Sequence, residues 1–409
     1  VTTAPRAGPW TPRVALALAV LAAAAFIYVT AEIMPVGALS AIARDLQVSE
    51  AMVGALLASY ALVAAVATMP LVRWTATWPR RRTLLWTLAC LSVSQLISAL
   101  APTFEVLAVG RVLCAVTHGL MWSVIAPIGA RLVPPSHAGR ATMAIYVGTG
   151  LALVVGSPVT AAMSEMWGWR LAVGAITVAS VAVLLAARFA LPAMAMTGVV
   201  AGGRPRRGGH YRNRALLTLC ALTLVGVTAH FISYTFIVVI LRDVVGVRGA
   251  QQAWLLAAYG VAGLTGMALF ARPGDRRPKA AVAGCLAGSA LAFAVLATLG
   301  FADWPHVLAA SLVAVAAIVL WGATAIAMPP MLQAAAMRHS PDDPDGASGL
   351  YVAMFQVGIM AGSLTGGVVY EHAGVAAMLT ASAALMLGAL VCVLLTRGLF
   401  AMHPATSEK

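Results

Sequence analysis

Two ionisable residues stand deep inside otherwise apolar stretches: Glu32 in Phe26-Ile27-Tyr28-Val29-Thr30-Ala31-Glu32-Ile33-Met34-Pro35-Val36-Gly37, and Arg111 in Arg111-Val112-Leu113-Cys114-Ala115-Val116-Thr117-His118-Gly119. A charge in such surroundings costs roughly 3 kcal/mol, so it is kept where it faces a polar interior and has a role. The chemistry open to the pair is proton uptake and release. A neighbouring guanidinium favours the carboxylate and burial disfavours it, so a rearrangement that alters either influence loads or releases a proton. The bland alternative is a static ion pair that fixes helix packing.

Other polar and aromatic residues share these depths. Arg111, His118 and Trp122 are spaced i, i+7, i+11 and fall on one helix face. His230 and Tyr234 are neighbours at i+4, Trp321 is the second deeply placed tryptophan, and Gln356 lies beside Gly358, Gly362, Gly366 and Gly367. Aromatic walls suit an aromatic or amphipathic solute, although a tryptophan fills a core equally well and a lone histidine often serves packing. Gly148, Gly150, Gly156 and Pro158 mark a helix that approaches a neighbour closely and bends. There is no glycine-rich phosphate loop, no metal-spaced His or carboxylate cluster, and no Ser/His/Asp set at one depth. No catalytic residue, metal or cofactor is therefore expected. The five cysteines lie in apolar stretches without CxxC spacing and suggest no disulfide framework.

The elements that must position these groups follow from composition. With 61% apolar and 10% charged residues in 409, and a mean hydropathy of +0.93, the chain is an all-α membrane protein, since a soluble surface needs more charge. Twelve apolar runs of spanning length are expected at 14–38, 50–72, 83–101, 104–130, 141–164, 171–192, 215–241, 252–271, 280–301, 306–334, 348–370 and 375–396. Each must be helical, because backbone polar groups in lipid are satisfied internally. Arg6 and Arg13 before an alanine-rich run resemble a signal peptide, but the run continues to Ala38 and is expected to stay as the first span.

Of 26 Lys and Arg, 21 fall on one side of the alternation, so both termini are expected in the cytoplasm. The formal charge of +13 sits in short loops rather than on one stacking face, which argues against nucleic acid. Gly202-Gly203-Arg204-Pro205-Arg206-Arg207-Gly208-Gly209 reads as a linker next to anionic lipid. It divides the chain into a six-helix half at 1–192, a cytoplasmic linker at 193–213, and a second six-helix half with a short tail at 214–409. The halves echo each other weakly, as alternating access by rocking requires. Counting along the helices puts Glu32 and Arg111 at one depth, ~9–10 Å below the outer boundary, where they meet or share a cavity.

With these residues in place, the chain resembles the major facilitator superfamily. Within it, the likeness is to the twelve-helix drug:proton antiporters that include sugar-efflux and chloramphenicol-export proteins. Thr30 to Gly37 is similar to that group's first-helix signature, and Arg111 to Gly119 to the fourth-helix motif whose Arg is linked to proton transfer. Gly148 through Pro158 resembles the antiporter motif, which implies export, although Ser157 separates Gly156 from Pro158. Trp167-Gly168-Trp169-Arg170 and His230-Phe231-Ile232-Ser233-Tyr234-Thr235-Phe236 look like the sugar-efflux and chloramphenicol-export branch. The loop Arg73 to Arg82 departs from the superfamily's pattern by lacking its Gly and Asp, whereas Gly274-Asp275-Arg276-Arg277 keeps more of it.

The resemblance implies a monomeric exporter in the cytoplasmic membrane, with protons, a small organic solute and lipid as its partners. Glu32 and Arg111 would couple protons, and His118, Trp122, His230, Tyr234, Trp321 and Gln356 would line the solute cavity. A proton-driven importer and a non-transporting membrane protein are the alternatives.

Overall fold

The computed structural model describes residues 10–48, 50–192, 212–247, 250–301, 308–396 and 398–400. Every regular element among them is helical. The order is α1 (Pro12–Gly37), α2 (Leu39–Asp45), α3 (Glu50–Trp74), α4 (Arg80–Ala99), α5 (Phe104–Arg131), α6 (Ala138–Leu151), α7 (Ser157–Trp167), α8 (Trp169–Ala190), α9 (Arg214–Tyr234), α10 (Ile237–Asp243), α11 (Ala250–Arg276), α12 (Pro278–Phe301), α13 (Leu308–Arg338) and α14 (Pro344–Leu395). Start signals are local: Thr11 accepts from the Val14 amide ahead of Pro12, and Asp343 accepts from Gly346 ahead of Pro344.

Nine described stretches are long and apolar enough to cross a bilayer. One of them, α14, contains two crossings, because 52 residues of unbroken helix would run about 78 Å against a hydrocarbon core of about 30 Å. Gly374, at φ +79° and ψ 179°, breaks it in a conformation only glycine adopts readily. With α3 and α4, of 25 and 20 residues, the membrane-length segments number twelve among the described residues. Their ends follow the expected runs closely. The expected seventh span, 215–241, is instead divided after Tyr234: the Thr235 hydroxyl bonds the Phe231 carbonyl at 2.8 Å and competes with the helix. Most of the expected linker, 193–211, lies outside the described residues.

A π turn at Ala152–Gly156 joins α6 to α7. Pro158 has no amide for the Val154 carbonyl, and a widened turn is one way a helix absorbs such a loss. The bend brings two glycines against α1. A Cβ on Gly148 would strike the Ala22 carbonyl, and one on Gly156 the Thr30 hydroxyl. These contacts seat the α1 face that leads to Glu32.

The elements before residue 192 pack on those after 212 through α6 with α11 and α13, and α14 with α3 and α5. At the end where the arginines gather, ion pairs cross that seam. Asp345, in the first turn of α14, accepts from Arg80 at 2.7 Å and Arg131 at 3.0 Å, and Asp275 accepts from Arg140 at 2.7 Å. At the opposite end, Asp45 pairs with Arg170 and accepts from the Trp169 indole at 3.1 Å. The Arg170 hydrogen bond is the main cause of an Asp45 pKa below the ordinary aspartate value.

Candidate functional site

Pro35 lies inside α1 and lacks the N–H that would bond the Ala31 carbonyl. Arg111 fills that gap. Its guanidinium, on a residue only 4% exposed, donates to the Ala31 carbonyl at 2.5 Å and to the Glu32 carbonyl at 2.7 Å. The group also lies over the Tyr60 ring, 4.7 Å from its centroid. Glu32 and Arg111 therefore do meet, but through the main chain of α1. The Glu32 carboxylate instead faces His118, with Oε2 3.9 Å from Nε2.

His118 is held by Tyr60, whose hydroxyl is 2.8 Å from Nδ1 and 3.4 Å from the Cys114 sulfur. When Tyr60 donates to Nδ1, the ring hydrogen resides on Nε2, on the side of Glu32. Tyr28 closes the back of the site, donating to the Thr87 carbonyl at 2.7 Å, with its ring edge-on to His118. The result is a carboxylate, an imidazole and a phenol in sequence, beside an arginine fixed on the backbone. Such a set can hold a proton, and a closer approach of Glu32 to His118 than 3.9 Å, or one bridging water, would let it pass between them.

Trp122 lies one turn beyond His118, its ring 6.3 Å away, and touches Tyr146 at 5.0 Å. Here the two parts of the chain are stitched together. Gln333, fully buried on α13, accepts from the Tyr146 hydroxyl at 3.1 Å and donates to the Trp122 carbonyl at 3.1 Å and to Ser348 at 2.9 Å. Its amide is well satisfied, so the junction is specific rather than merely apolar.

The later candidates form a second cluster. Trp321 donates its indole N–H to His230 Nδ1 at 3.0 Å, and Tyr234 stacks on His230 at 5.0 Å. Tyr259 and Phe293 pack on Trp321 at 5.3 and 4.8 Å. The indole bond fixes His230 as an acceptor at Nδ1, which leaves a hydrogen on Nε2 when the ring is neutral. Gln356 is buried on α14, with Oε1 lacking a hydrogen-bond partner among the described residues. Among the described residues it joins neither cluster through a hydrogen bond or ring contact.

Sequence reasoning overlooked Tyr60, Tyr259 and Gln333. The tyrosines carried a usable signal: both sit about ten residues inside their helices, far from the interfacial belt where tyrosine is usual. Gln333 had only its polarity near the end of a span.

A helical membrane scaffold with a part-buried carboxylate within its first span, and two parts of the chain tied by ion pairs at one end, points to a multi-pass membrane protein, and comparison gives the family. The profile of the Major Facilitator Superfamily matches residues 21–344 and 219–408, and the chain belongs to that superfamily. It is 63% identical over 399 residues to proteins of two Mycobacterium tuberculosis strains, each named as a chloramphenicol efflux pump, covering 98% of this chain and 96% of each relative. Among solved structures, the human organic anion transporter MFSD10 superposes with a TM-score of 0.77 at 15% identity, over 94% of this chain and all (100%) of its own. The proton:xylose symporter XylE does so with a TM-score of 0.72 at 13% identity, over 92% and 94%. Those two establish the fold alone. The chain is thus a multi-pass transporter of the cell membrane.

Proposed function

We propose that this transporter exports chloramphenicol and similar small organic solutes, each exchanged for protons moving inward. The solute follows from the relatives' shared name and their identity over nearly the whole chain. The observation that carries the coupling is the Glu32 carboxylate, 3.9 Å from His118, while Arg111 is engaged on backbone carbonyls. The solute undergoes no chemical step. In this reading the chain works as two six-helix halves, 1–192 and 214–409, with 193–213 as the cytoplasmic linker, and the arginine-rich end faces the cytoplasm. The ion pairs at that end then hold the inner side shut.

His230 and Tyr234, part-exposed and backed by the buried Tyr259 and Trp321, offer a flat aromatic surface for an aromatic solute, and His118 with Trp122 forms a second aromatic pair in the earlier half. A chloramphenicol-sensitive host expressing the chain should tolerate more of the drug and accumulate less of it. Dissipating the proton gradient should erase the difference in accumulation. Equal accumulation with and without expression, across chloramphenicol and a panel of other antibiotics and sugars, would overturn the proposal.

The inner closure has its own test. Asp345 is buried with two guanidinium groups, and removing one partner from a buried ion pair commonly costs about 3–5 kcal/mol. Asp345→Asn should therefore weaken the inward-closed state by at least tenfold. Spin labels at Ala76 and Asp342 should report a longer separation across the inner end. The reversed pair, Arg80→Asp with Asp345→Arg, should shorten it again. An unchanged distance distribution in Asp345→Asn would remove Asp345 from the closure.

A further inference from the structure

At the arginine-rich end, a cleft of about 470 Å³ lies between the last turn of α11 and the first turn of α12. Arg272, Arg276 and Arg277 line it, with Phe270 on the membrane side and Ala280 and Ala281 on α12. The nearby acid and lysine are engaged elsewhere. Asp275 is bound by the Arg140 side chain at 2.7 Å and its amide at 3.2 Å, so its charge is directed to the seam with α6. Lys279 donates to the Leu394 and Thr396 carbonyls at 2.9 and 3.1 Å, capping the end of α14. No carboxylate is among the lining residues. The first turn of α12 adds the positive end of a 24-residue helix.

Three guanidinium groups, a helix N-terminus and an apolar edge at the level where a span leaves the membrane suit one chemistry. We infer that this cleft binds a phosphate-bearing anion, the headgroup of an anionic phospholipid of the inner leaflet. The guanidinium forks take the phosphate oxygens, and Phe270 lies against the upper acyl chain. The free source of the same chemistry is inorganic phosphate.

The test is native mass spectrometry of the full chain in detergent with phosphatidylglycerol, with phosphatidylcholine, and with inorganic phosphate as competitor. The intact protein should retain phosphatidylglycerol at least tenfold better than phosphatidylcholine, and added salt should narrow the gap. Arg272→Gln/Arg276→Gln/Arg277→Gln should lose the preference. Arg73→Gln/Arg82→Gln, which alters exposed arginines at the same end, should keep it. Arg277→Gln alone should show an intermediate loss if the triple variant is poorly folded. Phosphate binding without lipid preference would overturn the lipid assignment and leave a free-phosphate site. A preference that survives all the cleft variants would overturn the site itself.

Discussion

A Glu32→Gln transporter should lose uphill export of chloramphenicol by at least a hundredfold while still exchanging it downhill. The geometry explains why the two activities should separate. Arg111 is bonded to the carbonyls of Ala31 and Glu32, and glutamine leaves both carbonyls where they are. The support of α1 therefore survives, and only the titratable carboxylate near His118 is removed. Aspartate should restore part of the activity, since it titrates but draws the carboxylate back by one methylene from His118. Measurements in proteoliposomes with and without an imposed pH gradient would distinguish these outcomes. Normal pumping against a gradient by the glutamine variant would make the Glu32 charge structural. Loss of drug binding with intact drug-independent proton movement would make it a solute ligand.

Arg111→Ala should be the more damaging change, abolishing transport and lowering stability together. It strips partners from the buried Ala31 carbonyl and the part-buried Glu32 carbonyl, and an unsatisfied buried acceptor costs about 1–3 kcal/mol. One of those carbonyls has no alternative, because Pro35 cannot bond Ala31. Lysine reaches only part of what the planar fork reaches, so Arg111→Lys should recover little. Adding Pro35→Ala to Arg111→Ala supplies the missing amide. Thermal unfolding of the double variant should recover by about 1 kcal/mol, while transport stays absent. Recovery of transport in that double variant would show that the arginine acts only as a backbone support.

Much of this arrangement was legible in the residues. Apolar length marked the spans, because lipid leaves the backbone no choice but helix. A charge at such a depth singled out Glu32 and Arg111, and small residues at Gly148 and Gly156 identified a close approach whose partner, α1, needed the fold. What was not legible depends on tertiary neighbours. That Arg111 would bind carbonyls rather than the carboxylate follows from Pro35 and Arg111 lying at one height, a relation between residues 76 positions apart. Asp345 reads as a first-turn acid favoured by the helix dipole, and nothing local says that Arg80 and Arg131 converge on it. The loop Arg73 to Arg82, which lacks the expected acid, is instead paired through Arg80 with Asp345. The anion comes from the other side of the seam.

The single residue that turns α14 back on itself has a mechanical consequence. With no loop at Gly374, the two arms of α14 stay joined at their far ends, so any tilt of the Asp345 arm relative to its partner pivots there. Asp345 and Gly374 are separated by 29 residues, an arm of about 44 Å. A swing of about 10° at the hinge carries Asp345 through about 8 Å, well beyond the reach of Arg80 and Arg131. The last hairpin is thus a long lever with a short fulcrum, and slight rotations at the Gly374 end become the opening or closing of contacts at the arginine-rich end.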